Sequence, residues 1–304
     1  MRAAERFAGT GDASVIACGR PRPGLSPRVA GPGERLSPRT QVGAWMLAFD
    51  AYGEPTGPRV VLVHGWPLRR DIWAEVAPLV ASAGFYVLAP DLPGFGESPP
   101  MGFERASVEA YADDLAAFLE PFGDRVALAG HSFGGYVALA LAERRPELLC
   151  GLALISSRTI ADSEVARAGR HETIAKVRAE GTEALLPSLA DKLLGPKASA
   201  RMRDRAAALV STSRPDGVIA GLAAMASRPD RTAVLERFPA SVLIVHGSAD
   251  ALIPVREAAQ PARTSGSLRL ILLPGVGHMP MWEAPQATSD AIVHWAKASH
   301  AERP

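Results

Sequence analysis

Short, continuously apolar runs alternate with amphipathic stretches through the first half of the chain, and this alternation constrains the fold more than any other feature. Arg59–Val63, Phe85–Ala89, Val126–Ala129 and Leu152–Ile155 read as strands without the in-out pattern of a half-wet sheet. Strands apolar at every position are those covered by helices on both faces, the habit of a parallel sheet. The intervening segments fit. Asp71 can cap a helix carrying Ile72, Trp73, Val76, Leu79 and Val80 at helical spacing, and Ser107 opens another with Val108, Tyr111, Leu115, Phe118 and Leu119. An earlier strand is expected over Val42–Phe49, before the turn cluster at 53–58.

Between residues 158 and 232 the alternation stops. Helices are expected over 165–179, 182–194, 198–210 and 218–226, with ten Arg and no convincing strand. Strand character returns at Ser241–Val245 and Leu268–Leu273, and a helix over Gln286–Ala298 buries Ala291, Ile292 and Trp295 on one face. The helical segment therefore interrupts one sheet. The expected organisation is a core of residues 41–157 and 233–300 with a helical cap of residues 158–232.

At 304 residues and 47 % hydrophobic the chain has ample material for a buried core. Its first forty residues differ, with seven Arg, five Pro, six Gly and no Lys, and a disordered extension is expected over residues 1–40. Val15–Cys18 is faintly similar to a lipoprotein cleavage site, but Glu5, Arg6 and Asp12 break the apolar segment that a signal peptide needs. With 33 Lys+Arg against 32 Asp+Glu there is no field to hold nucleic acid or an anionic membrane, which leaves a small molecule as the expected partner. Cys18 and Cys150 are the only cysteines, too few for a disulfide framework, and a cytoplasmic location is expected. No apolar run reaches the ~18 residues of a membrane-spanning helix.

In an open parallel sheet, functional groups collect at the carboxyl ends of the strands. Four such ends carry chemistry here: His64–Pro67, the GHSFG turn of residues 130–134, His246–Asp250 and Pro274–His278. A serine between two glycines, preceded by a strand and followed by a helix, suits either a nucleophile raised on a tight turn or an ordinary Gly/Ser loop. The order Ser132, Asp250, His278 is that of one version of the hydrolytic triad. No H-E-x-x-H spacing is present and DLPGFGE misses the G-x-G-x-x-G pattern, so neither a metal nor another cofactor is implied.

Taken together, the GHSFG elbow, HGWP, DLPGFGES, HGSAD and GVGHMPMWEAP segments resemble the α/β-hydrolase fold family over roughly residues 42–298. The resemblance implies an α/β fold, with a mostly parallel eight-stranded sheet flanked by helices and a helical cap inserted after the sixth strand. It also implies roles. Ser132 would be the nucleophile, His278 the general base and Asp250 its orienting acid, with the main-chain N–H groups of Trp66 and Phe133 forming the oxyanion hole. Leu68, Phe103, Ile253, Met279 and Trp282 flank these loops as candidates for an apolar substrate pocket. Asp91 is read as a loop-stabilising carboxylate, His64 as a neighbour of the oxyanion loop, His131 as pointing away from the hydroxyl, and His246 as part of the turn before the acid. His171, His294 and His300 are read as solvated; the insertion's arginines, Arg158 and Arg170 among them, could bind a substrate carboxylate but are read first as a solvated face.

The expected function is a cofactor-free serine hydrolase that opens a carboxylic ester or lactone of a small, largely apolar substrate through an acyl-enzyme. Serine at the elbow argues against haloalkane dehalogenases and epoxide hydrolases, which use Asp there. The run from Ala223 to Asp230 looks like the 3-oxoadipate enol-lactonase and small carboxylesterase branch. HGWPLRRDIW resembles the cofactor-free haloperoxidases or perhydrolases, which carry the same triad and make peracids. A third reading is a ligand receptor that keeps the pocket and turns over slowly or not at all.

Overall fold

A computed structural model describes residues 47–263 and 268–301. The extension expected over residues 1–40, and most of the strand expected over 42–49, lie outside the described residues. The strands are β1 (Phe49–Tyr52), β2 (Arg59–Val63), β3 (Tyr86–Pro90), β4 (Val126–His131), β5 (Leu149–Ile155), β6 (Ser241–Gly247) and β7 (Leu268–Leu273). They form one sheet in the order β1-β3-β2-β4-β5-β6-β7, parallel throughout except for β1 against β3. Among the described residues the sheet thus has seven strands, and the helical insertion follows the fifth, where eight strands and an insertion after the sixth were expected.

The helices alternate with these strands. Residues 76–82 (Val76–Ser82, α1) link β2 to β3, Val108–Leu119 (α2) links β3 to β4, and Phe133–Arg144 (α3) links β4 to β5. The insertion carries α4 (Glu164–Glu180), α5 (Leu186–Leu189), α6 (Ala200–Ser211), α7 (Pro215–Ser227) and α8 (Thr232–Arg237). After β6 come α9 (Val255–Ala258), and after β7 α10 (Pro280–Glu283) and α11 (Pro285–Ala301). α1 packs with α11 and α2 with α3, one pair on each face of the sheet. This two-sided cover explains why every residue of β3, β4 and β5 is buried.

The helix expected over 182–194 is broken into a 3₁₀ turn, the short α5 and a second 3₁₀ turn. Pro187 stands in the first turn of α5. Without an N–H it cannot continue a helix begun at Thr182, so the helix restarts there. α4 and α7 pack on each other, while α8 lies against α3 of the core. Among the described residues no helix is long and apolar enough to cross a membrane.

Candidate active site

The strand order reverses at β2 and β4: from β2 the chain steps out to β3, then returns to the other side of β2. A crevice at such a reversal, beyond the carboxyl ends of the strands, is where open α/β sheets take ligands. Val63 and Gly130 are register partners across this line. The segments beginning at His64 and His131 therefore leave the sheet side by side.

Ser132 stands between β4 and α3 with φ 50° and ψ −112°, a conformation that costs a non-glycine residue about 1–3 kcal/mol and persists only when its surroundings impose it. They do so here. The Ser132 N–H donates to the Ile155 carbonyl at 2.9 Å, and the Ser132 carbonyl accepts from the Gly135 amide at 2.9 Å and from Ser157 Oγ at 2.8 Å. A Cβ on Gly130 would run into the Gly134 carbonyl, and one on Gly134 would lie 2.6 Å from the His64 carbonyl. Both glycines are thus required for strand, turn and helix to close on one another. Among the described residues, Ser132 Oγ and the Trp66 and Phe133 amides make no hydrogen bond within the protein.

Asp250 and His278 are brought together from two further strand ends. Asp250 Oδ1 accepts from the Leu252 and Ile253 amides, each at 2.9 Å, and its Oδ2 lies 2.7 Å from His278 Nδ1. Burial disfavours the charged carboxylate, but the His278 ring and the Ile253 amide outweigh it and hold Asp250 below the usual carboxylate range. The Ala249 N–H donates to the Val276 carbonyl at 2.9 Å, tying the loop that carries Asp250 to the loop that carries His278.

The peptide groups around His278 are held as closely as its ring. Its N–H donates to the Leu193 carbonyl of the insertion at 3.0 Å. Glu283 Oε1 accepts from the Gly277 amide at 3.0 Å and the Met279 amide at 3.4 Å, and Oε2 accepts from the Gly195 amide at 2.8 Å. The His278 carbonyl accepts from His131 Nε2 at 2.8 Å.

His64, His131 and His246 are fully buried; His64 follows β2, His131 ends β4 and His246 is the penultimate residue of β6. Burial lowers the pKa of each, and for His131, where the neighbouring His278 adds to burial, the value is pushed down to about 3. Each ring ties a loop. His64 Nε2 accepts from the Leu92 amide at 2.9 Å, which puts its proton on Nδ1, 3.0 Å from the Gly65 carbonyl. His246 Nε2 donates to the Ile253 carbonyl at 2.9 Å and lies 3.5 Å from Asp250 Oδ2.

The pocket candidates divide. Leu68, Met279 and Trp282 are fully buried members of the hydrophobic core, and Trp282 Nε1 donates to the Ile72 carbonyl at 3.1 Å. Ile253 is buried beside Asp250. Phe103 is 48 % exposed, with the Arg178 guanidinium of α4 over its ring. Asp91 is buried against Arg70 and accepts from the Arg70 and Glu97 amides at 2.8 and 2.9 Å, away from His278.

Two readings of charged residues are corrected. Arg158 and Arg170 are not solvated: with Arg228 they converge on the buried Asp162 carboxylate. His300 is half-buried, its Nε2 3.0 Å from the Arg59 carbonyl. Sequence reasoning also missed Ser157 and Glu283. Glu283 is the lone carboxylate of the GVGHMPMWEAP segment, a signal that was available. A cleft of about 330 Å³ between core and insertion, lined by Leu68, Arg69, Glu97, Thr212 and Arg214 among others, includes neither Ser132 nor His278.

Residues 58–285 match the alpha/beta hydrolase fold family. A thermophilic esterase from Thermogutta terrifontis, solved with malate bound, superposes with a TM-score of 0.79 at 33 % identity, covering 88 % of this chain and 98 % of that one. A pimeloyl-(acyl-carrier protein) methyl ester esterase of Aromatoleum aromaticum is 31 % identical over 75 % of this chain and 94 % of its own length. The enol-lactonase from Burkholderia xenovorans LB400 shares the fold, with a TM-score of 0.75 at 20 % identity over 83 % of this chain and 96 % of that one. The chain belongs to the α/β-hydrolase fold family and is an esterase-like member of it.

Proposed function

We propose that the chain is a serine-dependent carboxylic ester hydrolase acting on a small, largely apolar ester or lactone. The observation that carries this reading is the 2.7 Å contact between His278 Nδ1 and Asp250 Oδ2, in a crevice where Ser132 is held in a strained turn. Asp250 accepts a hydrogen bond from His278 Nδ1–H, which fixes the imidazole tautomer whose Nε2 can act as a base.

Ser132 Oγ attacks the carbonyl carbon of the ester while His278 Nε2 takes the hydroxyl proton. The tetrahedral oxyanion accepts hydrogen bonds from the Trp66 and Phe133 amides, which have no acceptor within the described residues, and the positive end of α3 favours the same charge. Collapse expels the alcohol, to which His278 returns the proton. Water, deprotonated by the same nitrogen, then attacks the acyl-enzyme, and the acid leaves as Ser132 regains its proton. Catalytic hydrogen bonds of this kind tighten in the substrate complex, which accommodates the open Ser132 hydroxyl.

The insertion acts as a cap over this crevice. α7 accepts a hydrogen bond from Trp66 Nε1 at its Val218 carbonyl, at 2.9 Å, and Ser213 Oγ donates to the Pro67 carbonyl at 2.7 Å. Both contacts fall on the loop assigned to the oxyanion hole. The names of the Thermogutta and Aromatoleum relatives favour an ester over other acyl substrates.

Steady turnover of short-chain nitrophenyl esters, abolished by Ser132→Ala in a protein that remains folded, is the expected result. A folded protein that is stabilised by an acyl ligand but turns nothing over overturns the enzyme reading in favour of a receptor.

A further inference from the structure

We infer that His131, the residue before the proposed nucleophile, is a positioning residue that holds the base by its main-chain carbonyl. The inference rests on the reading of His278 as the base.

The main-chain N–H groups of residues 277–279 are all satisfied without His131. The His278 N–H goes to Leu193, and the Gly277 and Met279 amides go to Glu283. The His278 carbonyl remains, and the His131 ring supplies its one partner among the described residues, at 2.8 Å. A carbonyl can only accept, so Nε2 carries the proton and Nδ1 is bare. Nδ1 is buried and finds no donor.

The ring is closely packed on two sides. It meets the edge of Trp73 at 6.4 Å between centroids, and a Cβ on Gly65 would lie 2.5 Å from Nδ1. Glycine at position 65 therefore gives the ring room, and the ring links the oxyanion loop and the nucleophile turn to the base. The His131 and His278 rings lie 4.9 Å apart between centroids. The two differ in what they face: His278 has Asp250 at Nδ1, whereas the charged or titratable groups around His131 are His278 and, farther off, Asp250 and His64. A neutral ring at 131 can hold the base by a hydrogen bond without opposing the imidazolium that forms on His278 during attack.

The test uses the full-length protein and two substitutions. His131→Gln places an amide N–H near the position of Nε2, whereas His131→Met fills similar volume with no donor. Short-chain nitrophenyl ester kinetics are read beside the far-downfield proton signal of the His278–Asp250 hydrogen bond, which does not depend on turnover. The expected result for His131→Met is a kcat lower by about tenfold to a hundredfold, the scale set by a small misplacement of a catalytic group. KM stays within about threefold and the downfield signal shifts or broadens. His131→Gln restores both kcat and signal. If His131→Met keeps the kcat and signal of the parent, the ring is only core filling and the inference fails. Equal loss of kcat in both variants with the signal unmoved overturns it as well. Should the parent protein show no Ser132-dependent turnover, the enzyme reading fails by itself, and the signal alone still decides whether His131 places His278.

Discussion

Asp250 meets His278 Nδ1 with one carboxylate oxygen, while the Leu252 and Ile253 amides close on the other. The carboxylate therefore cannot rotate to exchange its oxygens without losing two main-chain hydrogen bonds. In Asp250→Asn the same two amides claim the side-chain carbonyl and turn its NH₂ toward His278 Nδ1. Nδ1 must then accept, the proton moves to Nε2, and the base is lost. The expected outcome is a kcat reduced by about 10⁴-fold with the fold intact by circular dichroism.

Glu283 should report on the contact between the His278 loop and the insertion. Glutamine in its place keeps one acceptor for the Gly277 and Met279 amides but sets an NH₂ against the Gly195 N–H that Oε2 now accepts. Glu283→Gln is expected to lose about 1–3 kcal/mol of stability. Hydrogen exchange should show faster opening at residues 193–195, while Asp250→Asn leaves that segment protected.

How much of this was legible in the sequence follows from how local each signal is. Ser132, Asp250 and His278 stand at the ends of apolar strand runs, so a one-dimensional pattern places them at one edge of the sheet. Pro187 is equally local: its missing N–H breaks the helix that helical spacing alone suggests over 182–194. Asp162 is different: its partners Arg170 and Arg228 are eight and sixty-six positions away, and no periodicity links the start of the insertion to the end of α7. The His131 contact spans 147 positions and depends on a ring direction that only the assembled turn sets.

Asp162 offers a stability test with a definite sign. Burial opposes its ionisation, but Arg170 and Arg228 outweigh burial and hold its pKa below the ordinary 3.8. A carboxyl depressed in the folded state contributes stability that is present above the unfolded value and lost as pH falls through the folded one. Asp162→Asn strands the buried Arg228 and is expected to cost about 3 kcal/mol at neutral pH. Urea unfolding should show the difference between the two proteins shrinking below pH about 4; a constant difference down to pH 2 contradicts the ion-pair account.

The buried histidines act at milder acidity. His131 takes a proton at about 3 in the fold against 6.5 for the free side chain, and His64 and His246 are lowered in the same direction. Below pH 6.5 the unfolded chain binds protons that the fold refuses, so stability falls as pH falls, by up to about 1.4 kcal/mol per pH unit for each histidine. His131→Gln removes one of these groups. Its stability should fall less steeply than that of the parent between pH 6 and 4, by up to that same amount per unit; parallel slopes would show that His131 accepts a proton without unfolding.

The most direct measurement of the central claim is covalent. A fluorophosphonate probe phosphonylates an activated serine with loss of fluoride, and peptide mapping by mass spectrometry locates the adduct. The account predicts one adduct, on Ser132, that forms in the parent protein, is strongly slowed in Asp250→Asn and is absent in Ser132→Ala. An adduct on another residue, or labelling and ester turnover that survive Ser132→Ala, would contradict it.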